Sequence, residues 1–176
     1  MTTSSATVTQ PEALEAGATA YTSVECSYDL DGVAMVTVDG GTSPYMYMWS
    51  NGETTAMATM LPGGSSSVAI TDANGCTIDA SVVIDAPAPI MTVVAVEADN
   101  LCSTSSDGAL SVMATGGTGA YTYMWSNGDA TTMNSGLANG TYYVSVMDEH
   151  GCVAVDMGTV GSPLAVAITG TVNNVD

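Results

Sequence analysis

Short stretches in which apolar and polar residues alternate follow one another along the chain, each closed by a turn rich in Gly, Asn, Asp or Pro. Tyr121, Tyr123 and Trp125 fall at every second position and so share one face of a predicted strand. The Gly116-Gly117 turn precedes that strand, and Asn127-Gly128, a pair suited to positive φ, follows it. Ile90 to Ala98, Ala109 to Ala114, Thr131 to Ser135, Thr141 to Met147 and Cys152 to Val160 read as further strands. Asn100 to Asp107, Leu137 to Gly140 and Asp148 to Gly151 read as turns. Tyr, Val and Thr recur in the alternating stretches, which favours strand over helix. About seven short strands at this spacing predict an all-β fold, a sandwich of the immunoglobulin kind.

The pattern occurs twice. The stretch from Gly40-Gly41-Thr42 to Trp49-Ser50-Asn51-Gly52 returns as Gly116-Gly117-Thr118 to Trp125-Ser126-Asn127-Gly128, a shift of 76 residues. Pro11, Pro87 and Pro163 keep the same register, as do Cys26 with Cys102 and Cys76 with Cys152. Between Cys26 and Pro87, about 24 of 62 positions are identical one period on, without a gap. The chain therefore reads as a slice of a tandem array. Residues 13–88 and 89–164 are the two predicted β-sandwich repeats. Residues 1–12 align with the last strand of a repeat, and residues 165–176 with the first strand of another. The joints, residues 85–89 and 161–164, contain proline, which fixes φ and removes a donor, so a semi-rigid rod is expected.

Charge narrows the partners. Eighteen acidic residues stand against no Lys or Arg, and the formal net charge is −18. With no cations to neutralise phosphates, the charge argues against nucleic acid as a partner, and against an anionic membrane surface. Side-chain ion pairs are confined to His150. No apolar run approaches the 18 residues of a membrane-spanning helix, so direct membrane insertion is not expected. The first residues lack the basic and apolar regions of a secretory signal.

Cys26, Cys76, Cys102 and Cys152 lie at spacings of 50, 26 and 50. No Cys-x-x-Cys pair indicates zinc. Equal spacing, with each repeat self-sufficient, predicts Cys26–Cys76 and Cys102–Cys152 disulfides. Each would close a loop of about 51 residues and constrain the unfolded chain by roughly 4 kcal/mol. A Cys76–Cys102 bridge between repeats, and reduced thiols, stay open. Paired cysteines in small β domains fit an oxidising, extracellular setting.

Cys, Asp-Gly, the Gly-Gly-Thr-x-x-Tyr-x-Tyr-x-Trp-Ser-Asn-Gly core, a Leu turn, Asp-x-x-Gly-Cys and Pro follow in that order in both copies. This succession resembles the SprB repeat of large surface adhesins of gliding and other Bacteroidota, a relative of PKD and immunoglobulin-like sandwiches. The resemblance implies an exported protein, carried by the type IX secretion route and displayed outside the outer membrane. One departure is plain. The aromatic expected after the Leu turn is present as Tyr142 and Tyr143, whereas the first copy has Ser65-Ser66-Ser67. A strand opening on three serines is expected to pack more loosely.

Each candidate site has a plainer alternative. Trp49 and Trp125 are sugar-stacking candidates, but a central-strand Trp more often plugs an immunoglobulin-like core. Tyr45, Tyr47, Tyr121 and Tyr123 are read the same way, as sheet-face or core packing rather than a glycan platform. Asp72 and Asp148, with Asp29, Asp31 or Asp107, are oxygen donors for Ca²⁺, the one cofactor candidate. Too few acids sit together for the six to eight ligands it takes, so a turn-forming role is preferred. His150 stands alone in a turn, and Asn139-Gly140-Thr141 is a formal glycosylation sequon. No nucleophile–base motif is present and no second His exists, so no enzyme is predicted. The function expected is a structural and adhesive repeat segment of a long extracellular surface protein or filament, with neighbouring repeats and surface glycans as partners. The alternatives are a spacer or carbohydrate-binding module of a secreted enzyme, or a filament subunit assembled by strand complementation.

Overall fold

The computed structural model describes residues 10–163. The strands expected at the two ends fall outside these, apart from Gln10, Pro11 and Glu12, which form no strand. The chain divides into two compact units, Met1–Pro89 and Ile90–Asp176.

In the first unit β1 (Glu15–Thr22), β2 (Gly32–Asp39) and β4 (Met57–Leu61) form one antiparallel sheet in the order β1-β2-β4. The second sheet has β3 (Met46–Trp49), β5 (Gly64–Thr71) and β6 (Thr77–Ile84) in the order β3-β5-β6. Alternation aims one side chain in two at the facing sheet. Ala34 and Val36 point inward from β2, and Val68 and Ile70 from β5. Trp49, Ala58, Leu61, Val82, Ile84 and Val24 complete the core between the sheets.

The second unit repeats this strand for strand. One sheet has β7 (Met91–Ala98), β8 (Gly108–Thr115) and β10 (Met133–Leu137) in the order β10-β8-β7. The other has β9 (Thr122–Trp125), β11 (Gly140–Met147) and β12 (Val153–Val160) in the order β12-β11-β9. Every strand begins and ends 76 residues after its counterpart. Leu110, Val112, Trp125, Leu137, Val144, Val146 and Val160 form its core.

Each repeat has six strands where about seven were expected. The three serines do not shorten β5: Ser65, Ser66 and Ser67 pair in register with Val83, Val82 and Ser81 of β6. Backbone pairing sets the strand length here, and the loss is confined to side chains. Ser66 stands where the second repeat has Tyr142, and its hydroxyl is buried with no hydrogen-bond partner.

Candidate functional site

Strand direction gives each repeat two poles. At the leading pole of the first repeat the chain comes in beside the Gly40-Gly41 turn, where Gly41 N–H donates to Glu12 O at 2.9 Å. Asp72 closes this pole. Its carboxylate accepts from the backbone N–H groups of Thr42 at 3.0 Å, Asn74 at 2.9 Å and Cys76 at 2.8 Å. Asp148 does the same with Thr118 at 2.8 Å, His150 at 3.0 Å and Cys152 at 2.9 Å.

Both carboxylates are buried, which pushes their pKa up, but the backbone donors outweigh this and hold each below the ordinary Asp value. At Asp148 the neighbouring His150 adds to the lowering. The turn demands glycine: Gly40 and Gly41 have φ of 66° and 63°, and a Cβ on Gly40 would lie 1.9 Å from Ala13 O.

At the trailing pole Val24 N–H donates to Asp85 O at 3.0 Å, and Gly32 of β2 pairs with Leu61 of β4. In the second repeat Asn100 N–H donates to Gly161 O at 3.0 Å. The Asn100 Oδ1 also accepts from the N–H of Asp107 at 3.0 Å and of Gly108 at 2.8 Å.

The signature residues hold the sandwich together from inside. Trp49 and Trp125 are 2% and 1% exposed. Their Nε1–H groups donate to Thr55 O and Thr131 O, both at 2.9 Å, tying the strand to the turn that follows. Tyr45 Oη–H donates to Gly40 O at 2.6 Å, and Tyr121 to Gly116 O, so each Tyr closes the glycine turn before it. Tyr47 and Tyr123 pack against the two cores. Asn51 Nδ2 donates to Thr59 O at 2.8 Å, while Asn127 exchanges hydrogen bonds with Asn134 at 3.0 Å. Met46 and Met48 face outward beside the two tyrosines, where a hollow of about 510 Å³ is lined by Tyr45, Tyr47, Thr54 and Thr71 as well.

The candidate cation ligands are not brought together. Asp29 accepts from Cys26 N–H at 3.0 Å, and Asp107 accepts from Leu101 N–H and Ser105 Oγ–H. These are local turn bonds, and among the described residues no three or more His, Cys, Asp or Glu side chains are arranged so that they could hold a metal ion.

The cysteines correct the sequence reading. Cys26 and Cys152 are disulfide-bonded, whereas Cys76 and Cys102 are exposed free thiols. The pairs Cys26–Cys76 and Cys102–Cys152 are therefore not formed. The reason is topological. Cys76 sits at the leading pole, immediately before β6, and Cys26 at the trailing pole, two residues past the Val24–Asp85 bond. The eight residues of β6 set the poles about 26 Å apart. A disulfide needs Cα atoms about 4.4–6.8 Å apart. Equal spacing in sequence carried no information about which pole each cysteine occupies.

Two segments, residues 18–54 and 95–130, match the family model described as the SprB repeat. One matched segment falls in each repeat, and the resemblance drawn from the motifs is supported there. The comparison with curated proteins returned no match. Among solved structures, the N-terminal eight Ig domains of Down Syndrome Cell Adhesion Molecule align at TM-score 0.53 and 13% identity. That alignment covers 86% of this chain and 24% of that one. Three N-terminal domains of the bacteriophage RB49 Highly Immunogenic Outer Capsid protein align at TM-score 0.43 and 18% identity, over 84% of this chain and 59% of that one. A C-terminal fragment of intimin aligns at TM-score 0.40 and 15% identity, over 87% and 64%. The chain spans less than two thirds of each of these structures. The cell-adhesion-molecule alignment supports the fold: tandem immunoglobulin-like sandwiches.

Proposed function

We propose that this chain is a structural and adhesive segment of a long protein displayed at a cell surface, whose work is to extend and to present. The observation that carries this reading is the path of the chain through each repeat. Within each repeat it comes in at the leading pole and leaves at the opposite, trailing pole, the path a spacer unit needs. The motif that recurs most faithfully is spent on core and turns. The SprB repeat matches support a surface protein, and no helix among the described residues is long and apolar enough to cross a membrane. Export by the type IX route and a role in gliding are what the family resemblance adds to the proposal.

A carbohydrate-binding module is the weaker reading, because the stacking candidates Trp49 and Trp125 are enclosed. The test is a display series. One, two and four tandem copies of the chain are placed between a bacterial surface anchor and a fluorescent tip, and the height of the tip is measured. Each repeat is expected to add a constant increment of about 40 Å, the length of its strands plus a joint. A height that fails to grow with copy number overturns the proposal.

A further inference from the structure

The two repeats agree strand for strand but differ on one outer face. In the sheet of β9, β11 and β12, alternation turns Met124, Tyr143, Met147, Val155 and Met157 away from the core, and each is between 43% and 65% exposed. Register gathers them into one patch. Tyr143 lies opposite Met157, while Ser145 lies opposite Val155 on one side and Met124 on the other. Every outward position of these three strands is uncharged, in a chain with 18 acidic residues. One period back, four of the five positions hold Ser67, Thr71, Asp79 and Ser81. The first repeat builds the same sheet on these polar residues, so the fold does not require the apolar face.

We propose that this face is where two copies of the chain meet, sheet against sheet, side by side rather than end to end. Size and charge select the occupant. Eight-residue strands rising about 3.4 Å per residue, three abreast at about 4.8 Å, give a face of roughly 27 Å by 14 Å. An apolar patch of that size marks an interaction surface. A basic partner finds no carboxylate within the face to pair with, and a sugar finds one aromatic ring, Tyr143. An uncharged apolar sheet is matched by a second copy of itself, and sheets stack face to face about 10 Å apart. The same patch on both copies makes a two-fold contact that closes at the dimer. Two such faces, about 760 Å² in outline, fall short of the roughly 1,200–2,000 Å² that stable complexes bury, so the contact is weak and reversible. Repulsion between two chains of net charge −18 opposes it further, and salt screens that repulsion. Because the face is lateral, it stays open when the poles meet neighbouring repeats of an array.

The experiment is sedimentation equilibrium of the whole chain, from about 10 μM to about 1 mM protein, at salt from about 0.01 M to about 1 M. Cys76 and Cys102 are alkylated first, so that no link between copies forms through them. The expected result is a monomer–dimer equilibrium with no larger species, tightening at least tenfold as salt rises. Val155→Asp gives the second repeat the residue that the first carries as Asp79, a substitution the sheet accommodates, and should weaken the dimer at least tenfold at the highest salt. Met113→Asp adds the same charge to the opposite sheet, at a side chain 71% exposed, and should leave the dimer within twofold of the parent. Equal effects of the two substitutions would overturn the proposal, as would a dimer that weakens with salt or grows into larger species. A chain still monomeric at the highest protein and salt would leave the face to a different partner and overturn it too. None of these results would alter the height series above, so the two proposals fail separately.

Discussion

Thr42 and Asp72 are joined across 30 residues of sequence: the Thr42 N–H donates to Asp72 Oδ2 at 3.0 Å, and Thr118 and Asp148 repeat the bond at 2.8 Å. With its other donors, each Asp binds the glycine turn to the turn before the last strand.

These carboxylates make acid stability predictable in sign. Each has a folded-state pKa below the ordinary Asp value of 3.8, so the unfolded chain binds more protons in the acid range. Their contribution is full above the unfolded pKa and is lost as pH falls through the lowered folded value. The double variant D72N/D148N should melt several degrees below the parent at pH 7, and the gap should shrink progressively below pH 3.8. Thermal melts from pH 7 to pH 2 check this; a constant gap across that range would contradict it.

The two tryptophans report on the two cores separately. Trp49→Ala should destabilise the first repeat by about 3–5 kcal/mol, the cost of truncating a buried aromatic. Both indoles should emit well to the blue of exposed tryptophan. In W49A, Trp125 should keep its blue emission at temperatures where the parent is folded. Fluorescence melts of W49A and W125A check this; a red shift of Trp125 in W49A under those conditions would show that the second repeat cannot hold its own core.

Ser66 is a place to gain stability. Its hydroxyl is buried and unpaired, a state that costs more than an apolar side chain of the same size. Ser66→Ala should therefore stabilise the first repeat by about 1 kcal/mol. Chemical denaturation followed through Trp49 checks this; a loss of stability would mean that the hydroxyl has a partner.

A chain with 18 acidic residues and no Lys or Arg repels itself in the compact state. Raising salt from about 10 mM to about 1 M shortens the screening length from roughly 30 Å to 3 Å. The melting temperature at pH 7 should rise monotonically over that range. A fall would require attractive charge pairs that the composition does not supply.

Much of this architecture is legible in the sequence because it is written in local chemistry. Tyr45, Tyr47 and Trp49 alternate, and alternation is the strand period. Gly40, Gly41 and Gly52 sit where φ is positive, and a second copy fixes the register of both. The cysteine pairing was not legible. A separation of 50 residues says nothing about direction, and only the strand order reveals that Cys26 and Cys76 occupy opposite poles. Nor did residue type reveal Ser66. Three serines look like a weak strand, whereas β5 is held by its backbone ladder to β6 and the deficit falls on one buried hydroxyl.

Pulling the chain from its two ends by single-molecule force spectroscopy tests the central claim, that it is built of equivalent repeats each folded as a bead between its poles. Reductant is included so that no disulfide shields part of the chain. Two unfolding events are expected, each lengthening the chain by about 240 Å, from 76 residues at roughly 3.6 Å each less about 30 Å of folded span. A single event releasing both repeats together, or a featureless extension, would contradict it.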